Sequence, residues 1–147
     1  MQDSDLLRAR ELLTAGGYTL VLVRGEFVET DTERGVNPLL SRLDGDSDYS
    51  GYSAADKVVG RAAAFLYVLL GIRRLHAETV SELALEVLSE HGISVTYTTL
   101  AKRIRNRTDT GDCPMESAVR ECRQPPEALA CIRSVLLRLQ SSHHPTA

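Results

Sequence analysis

Apolar side chains recur every three or four residues through much of this chain, and three of those runs stop at a glycine that opens a run of strand-forming residues. Asp5 to Ala15 carries Leu6, Leu7, Leu12 and Leu13 on one side and ends at Gly16-Gly17, which predicts an amphipathic helix. Thr19 to Gly25 and Glu26 to Thr30 predict a β-hairpin turning at Arg24-Gly25. The longest helical pattern runs from Ser53 to Leu70. Val58, Val59, Ala62, Ala63, Leu66, Leu69 and Leu70 fall at helical spacing there, while Ala64, Phe65, Tyr67 and Val68 fill the remaining circumference. This spacing predicts one helix buried nearly all round, with its charges, Asp56, Lys57 and Arg61, gathered in the first turns. Gly71 precedes a strand over Ile72 to Ala77, and Ser81 to His91 reads as a helix with Leu83, Ala84, Val87 and Leu88 inward. Gly92 then precedes a strand over Ile93 to Tyr97. Shorter helices are expected at Pro38 to Leu43 and Pro114 to Arg123, and an amphipathic one at Pro126 to Gln140.

Strands alternating with helices imply crossovers, so the expected fold is α/β: a three-layer α/β/α sandwich on a mixed, mostly parallel sheet. A chain of 147 residues can bury a core of that kind without disulfides. The expected division is one domain over residues 1–124 and a C-terminal helical extension over 125–140, packed on the domain or on a partner. Residues 141–147 are expected to fray.

Charge and cysteine usage narrow the class. A net charge of −3 argues against a general nucleic-acid binder. The longest apolar run, Ala62 to Leu70, has nine residues where a membrane span needs about twenty, and the first residues carry no apolar leader. Cys113, Cys122 and Cys131 are odd in number and lack CxxC spacing, as in a reducing compartment. A cytoplasmic location without membrane contact is the expectation.

Two segments carry candidate chemistry, at the helix N-termini where open parallel sheets bind ligands. Ser53-Ala54-Ala55-Asp56 and Thr79-Val80-Ser81-Glu82 each match an S/T-x-x-D/E capping box, so Asp56 and Glu82 have a structural reading as caps. Lys57 is harder to place so simply. A cation in a first helical turn opposes the helix dipole, and Arg61 adds like-charge repulsion, so a compensating anion is called for: Glu78, Glu116 or a ligand. Gly60 in a helix interior would mark close backbone approach by a neighbouring element. The second segment is Asn106 to Glu116, where Thr108, Thr110, Gly111 and Cys113 lead into a helix and suit a polar or anionic ligand. Lys102, Arg103 and Arg105 just before it and Arg107 at its start put four cations in six residues without interleaved aromatics, which fits a solvated face or a phosphate contact. The acidic loop Asp44 to Tyr52 lacks the bidentate glutamate of a calcium loop. His76-Ala77-Glu78 with Cys113-Pro114 imitates part of the H-x-E…P-C-x-x-C zinc-deaminase pattern, but the cysteine follows the wrong way round and Glu116 stands for the second cysteine. His143-His144 falls in the tail.

Four blocks, Glu33 to Leu40 (ERGVNPLL), Ala54 to Ala64 (AADKVVGRAAA), Ala77 to Leu88 (AETVSELALEVL) and Asn106 to Val119 (NRTDTGDCPMESAV), carry a family resemblance. In order and spacing they resemble a small bacterial and archaeal domain family of unknown function grouped with the cytidine-deaminase-like fold. The resemblance covers about residues 5 to 121 and leaves out the last helix. It implies a deaminase-like sheet without the zinc ligands. By helix order, Ala54-Ala55-Asp56 would stand at the deaminase His-Ala-Glu and Val80 to Ala84 at its Pro-Cys-x-x-Cys. It also implies that Ala55-Asp56-Lys57 and Cys113 to Glu116 face one pocket.

The expectation that results is a metal-independent domain, needing no cofactor, that binds a nucleotide-like or other polar, anionic metabolite. Asp56, Lys57, Cys113 and Glu116 are its candidate reacting groups. Arg34, Glu78, Ser81, Asn106, Arg107, Thr108, Thr110 and Gly111 are its candidate ligand contacts. The rival is a regulatory or interaction module whose last helix docks a partner or a second copy, as in a homodimer. A zinc-dependent deaminase is the remaining alternative.

Overall fold

Strands β1 (Leu20–Arg24), β2 (Phe27–Asp31), β3 (Ser53–Val59), β4 (Arg74–Ser81) and β5 (Ser94–Ala101) form one sheet in the order β2-β1-β3-β4-β5. The computed structural model describes residues 3–33, 35–102 and 113–142. β1 runs antiparallel to both β2 and β3, whereas β3, β4 and β5 are parallel, so the sheet is mixed as expected. The hairpin register pairs Arg24 with Phe27, which leaves Gly25-Glu26 as a two-residue turn one position later than the sequence suggests.

The helices are α1 (Asp3–Gly16), α2 (Asn37–Asp44), α3 (Arg61–Leu70), α4 (Glu82–Glu90), α5 (Pro114–Ala118) and α6 (Pro125–Ser142). Strand alternation separates the layers. Val21, Val23 and Ala55 face α1 through Ala9 and Leu13, and Leu20, Leu22, Ala54, Leu75 and Ala77 join the larger core beneath the remaining helices. The three-layer α/β/α arrangement therefore holds, with α1 covering one face and α2 to α6 the other. α3 is the centre of the larger core. Ala62, Ala63, Ala64, Phe65, Leu66, Tyr67 and Leu70 are all buried, and each large side chain among them contributes roughly 1.5–3 kcal/mol by leaving water. Ala128, Ile132 and Val135 place one face of α6 in the same core.

The predicted helix over Ser53 to Leu70 is two elements. Its first seven residues are the central strand β3, and the helix begins only at Arg61. Over Ser53 to Ala55 this strand is flanked on both edges and buried on both faces, so it shows no polar alternation there, and Ala54 and Ala55 have no bulk to mark the faces. Alanine's helix propensity is overridden there by the hydrogen bonds β1 and β4 offer. Three readings change with it. Ser53 and Asp56 are not a capping box, Lys57 does not oppose a helix dipole, and Gly60 is the residue before the helix rather than inside it. Other boundaries move less: β4 starts two residues late and runs on to Ser81, β5 reaches Ala101, and α5 stops at Ala118. Gly71 closes α3 at φ +81°, a conformation that favours glycine, and a Cβ there would also stand 3.0 Å from the Ser50 hydroxyl.

Candidate functional site

A cavity of about 520 Å³ opens where β3 ends and β1 begins, beneath α2. Its wall includes Thr19 and Leu20, Thr32 and Glu33, Pro38 and Leu39 of α2, and Asp56, Lys57 and Val58 of β3. Its rim is tied down locally. The Thr19 hydroxyl donates to the carbonyls of Asp31 (3.1 Å) and Glu33 (2.7 Å), and the Asp31 carboxylate accepts from the Glu33 amide. The roof is fixed from the other end of α2. Arg42 bridges Glu29 at 3.1 Å and Asp31 at 3.0 Å, and the Tyr49 hydroxyl donates to the same Glu29.

Asp56 is the group that gives this cavity chemical character. It alternates onto the α3 side of the sheet, where the Tyr67 hydroxyl donates to Oδ2 at 2.6 Å and the Val58 amide donates to Oδ1 at 3.3 Å. Burial nonetheless dominates and pushes the carboxyl up to about 7, against the pull of those hydrogen bonds. Tyr67 in turn is driven well above its ordinary value by burial and by the carboxylate it faces. The pair therefore holds a proton on Tyr67 and leaves Asp56 able to exchange one near neutral pH. Lys57, one residue on, is exposed at the cavity mouth, and its backbone amide donates to the Thr19 carbonyl.

Glu116 has a different task. Its two carboxylate oxygens accept the first amides of α3, Arg61 at 2.7 Å and Ala62 at 2.9 Å. The negative charge thus sits on the positive end of the helix and satisfies donors that no residue of α3 could reach. Gly60 makes room for it, because a Cβ there would lie 2.6 Å from that carboxyl. The close approach inferred at Gly60 is real, and Glu116 is what approaches. Arg61 closes the corner, its guanidinium donating to the carbonyls of Val119 and Cys122 and resting 5.1 Å from the Phe65 ring centre.

The remaining expected residues divide as follows. Ser81 is buried and spends its hydroxyl capping α4, accepting the Ala84 amide at 3.1 Å, so the cap is Ser81 and not Thr79. Glu78 lies half-buried on β4, beside Lys57 in the parallel register, and acts on His76, whose Nδ1 meets the Thr96 hydroxyl at 2.8 Å. Cys113 is half-buried ahead of α5 and is not part of the cavity wall. Asp56 and Lys57 thus share the cavity, while Cys113 and Glu116 belong to the α3–α5 corner. Arg34, Asn106, Arg107, Thr108, Thr110 and Gly111 lie outside the described residues. Sequence reasoning missed Tyr67, Thr19, Thr32 and Glu33. A tyrosine inside an otherwise apolar helix was the available signal, since a buried hydroxyl needs a partner.

The zinc set of the deaminase alternative does not fit these residues. The starts of α3 and α4 present Gly60-Arg61-Ala62 and Ser81-Glu82-Leu83, without a histidine or cysteine. Among the described residues no three His, Cys, Asp or Glu side chains converge as a metal would require. The described helices include none long and apolar enough to cross a membrane.

Residues 8–136 match the family described as Domain of unknown function (DUF1893). The chain belongs to the DUF1893 family. The match continues to residue 136, well into α6 and farther than the sequence blocks alone carried the resemblance. Among solved structures, the DUF1893 family protein TM1506 from Thermotoga maritima is 27% identical, with a TM-score of 0.79 over 90% of this chain and 89% of that one. The dCMP deaminase of cyanophage S-TIM5 is 10% identical with a TM-score of 0.44, over 65% of this chain and 95% of that one. A diaminohydroxyphosphoribosylaminopyrimidine deaminase/5-amino-6-(5-phosphoribosylamino)uracil reductase of Thermotoga maritima is 18% identical with a TM-score of 0.40, over 66% and 36%. No curated protein matches the chain.

Proposed function

We propose that this DUF1893 domain binds a small polar molecule in the cavity beneath α2, without a metal, and reads its N–H or O–H groups with Asp56. The observation that carries the reading is a carboxyl that burial holds at about 7 on the wall of a cavity large enough for a metabolite. The charged form of such a group costs the fold stability at neutral pH and above, because it is poorly solvated there. A ligand donor would add a hydrogen bond to those from Tyr67 and Val58, and a proton could pass between ligand and carboxyl near neutral pH.

The lining also bears on charge. Among the described wall residues Glu33 and Asp56 stand against the single cation Lys57, and the N-terminus of α3 already holds Glu116. That balance favours a neutral or cationic ligand rich in donors, such as a nucleoside or an amine, over the anionic metabolite expected from Lys57 alone. The test is a thermal-shift screen of nucleosides, nucleotides, sugar phosphates and amines, followed by titration calorimetry of the hits. A ligand at one hundred times its dissociation constant adds about 2.7 kcal/mol of stability. Asp56→Asn should weaken the hit at least tenfold. Hits confined to phosphates, or untouched by Asp56→Asn, would reject the reading, and a screen without hits would favour the interaction module instead.

A further inference from the structure

The corner that anchors α3 also holds two thiols. Cys122 lies in the turn after α5 and Cys131 on the second turn of α6, and their sulfurs are 3.5 Å apart. Both are free thiols; Cys122 is buried and Cys131 half-buried. The spacing CRQPPEALAC hides this pair from a search for CxxC, since the chain must pass Pro125-Pro126 and enter α6 before the second thiol returns.

We propose that Cys122 and Cys131 are a reversible dithiol–disulfide site, oxidised by a small-molecule disulfide such as oxidised glutathione. The sulfurs need to close by about 1.5 Å to reach the bonding distance of roughly 2.05 Å. Accessibility sets the order of events. The Cys131 thiolate attacks the reagent disulfide, forming a mixed disulfide and releasing one thiolate. Cys122 then loses its proton to solvent and attacks the Cys131 sulfur, expelling the second thiolate. Two protein thiols are oxidised and one reagent disulfide is reduced to two thiols, which balances the exchange. Burial, the neighbouring Cys131 sulfur and Glu127 push the Cys122 thiol up to about 11, against Arg61, so Cys122 suits the resolving role rather than the first attack.

The bond would lock the turn whose carbonyls at Val119 and Cys122 receive the Arg61 guanidinium, and so would tie α6 to the start of α3. Incubating the full chain with oxidised glutathione, trapping free thiols and mapping peptides by mass spectrometry tests this. The expected product is a Cys122–Cys131 linkage lighter by two hydrogens, with Cys113 alkylated, reversed by dithiothreitol and accompanied by a higher melting temperature. With Cys122→Ser, the glutathione adduct on Cys131 should accumulate several-fold. A lasting adduct on Cys131 in the unsubstituted chain, or disulfides between chains at these positions, would overturn the proposal.

Discussion

Two carboxylates meet helix α3 and do opposite things to it. Glu116 reaches in from α5 and accepts two backbone amides at the helix start, where dipole and orphan donors both welcome its charge. Asp56 meets the same helix farther along, at Tyr67, and is held in surroundings that resist its charge. Both stand out in the sequence as acids close to a candidate reacting side chain, Lys57 or Cys113, and both are candidate reacting groups there. The structure separates them by what each is bonded to. A carboxylate saturated by backbone N–H groups is a fastener, and one whose charge burial opposes beside a cavity is available to a ligand.

That contrast gives the two acids opposite signs in stability. Asp56 titrates at about 7 in the folded chain against 3.8 when unfolded, so the folded state binds its proton more tightly. Its contribution is complete below about pH 4 and disappears as pH rises through about 7, at roughly 1.4 kcal/mol per pH unit, or about 4 kcal/mol in all. Asp56→Asn should flatten this slope and leave the chain more stable than the unsubstituted protein at pH 8. His76, lowered by burial and by Arg10, works the other way below about pH 6.5, and it stays in both proteins, so their difference isolates Asp56. Urea denaturation from pH 4 to 8 measures it; parallel curves for the two proteins would refute the assignment. Glu116→Ala should instead destabilise the chain by about 3 kcal/mol, because two charge-assisted hydrogen bonds go at once. Glu116→Gln, with one acceptor oxygen in place of two, should lose about half of that.

How far this was legible beforehand depends on how local each device is. The α4 cap lies within four residues, and helix signals there identify the right helix, with Ser81 rather than Thr79 as its cap. The alternation of helices and strands declared the layered fold for the same reason. The Glu116 staple spans 55 positions and leaves one trace in the sequence, the glycine at 60, whose lack of a side chain is explained only by what fills the space. The failure at Ser53 to Val59 is of another kind. The enclosed first half of that strand has the composition of a buried helix, and only its partners β1 and β4 decide between them. Asp56 is therefore a site candidate in the sequence on an incorrect picture of its backbone, and the structure places it in strand β3 on the cavity wall.

A smaller effect tests the pair that defines the cavity. Tyr67→Phe keeps the ring in the core and removes only the hydroxyl that faces Asp56. With one donor fewer, the carboxylate becomes still less favourable. The Asp56 titration should move further upward, and the chain should lose about 2 kcal/mol at pH 8 but less at pH 4, where the carboxyl is protonated. An equal loss at both pH values would mean that the hydroxyl serves packing alone.

The smallest effect supplies the scale for all the others. Ser81 caps α4 as Glu116 caps α3, but with a neutral hydroxyl, one amide and a partner three residues away. Ser81→Ala should cost about 1 kcal/mol, the usual value for a lost N-cap. The loss should be independent of pH between 4 and 8, since nothing in that bond titrates. If it equalled the loss in Glu116→Ala, charge and the second acceptor would count for nothing at α3, and the distinction between the two acids would rest on Asp56 alone.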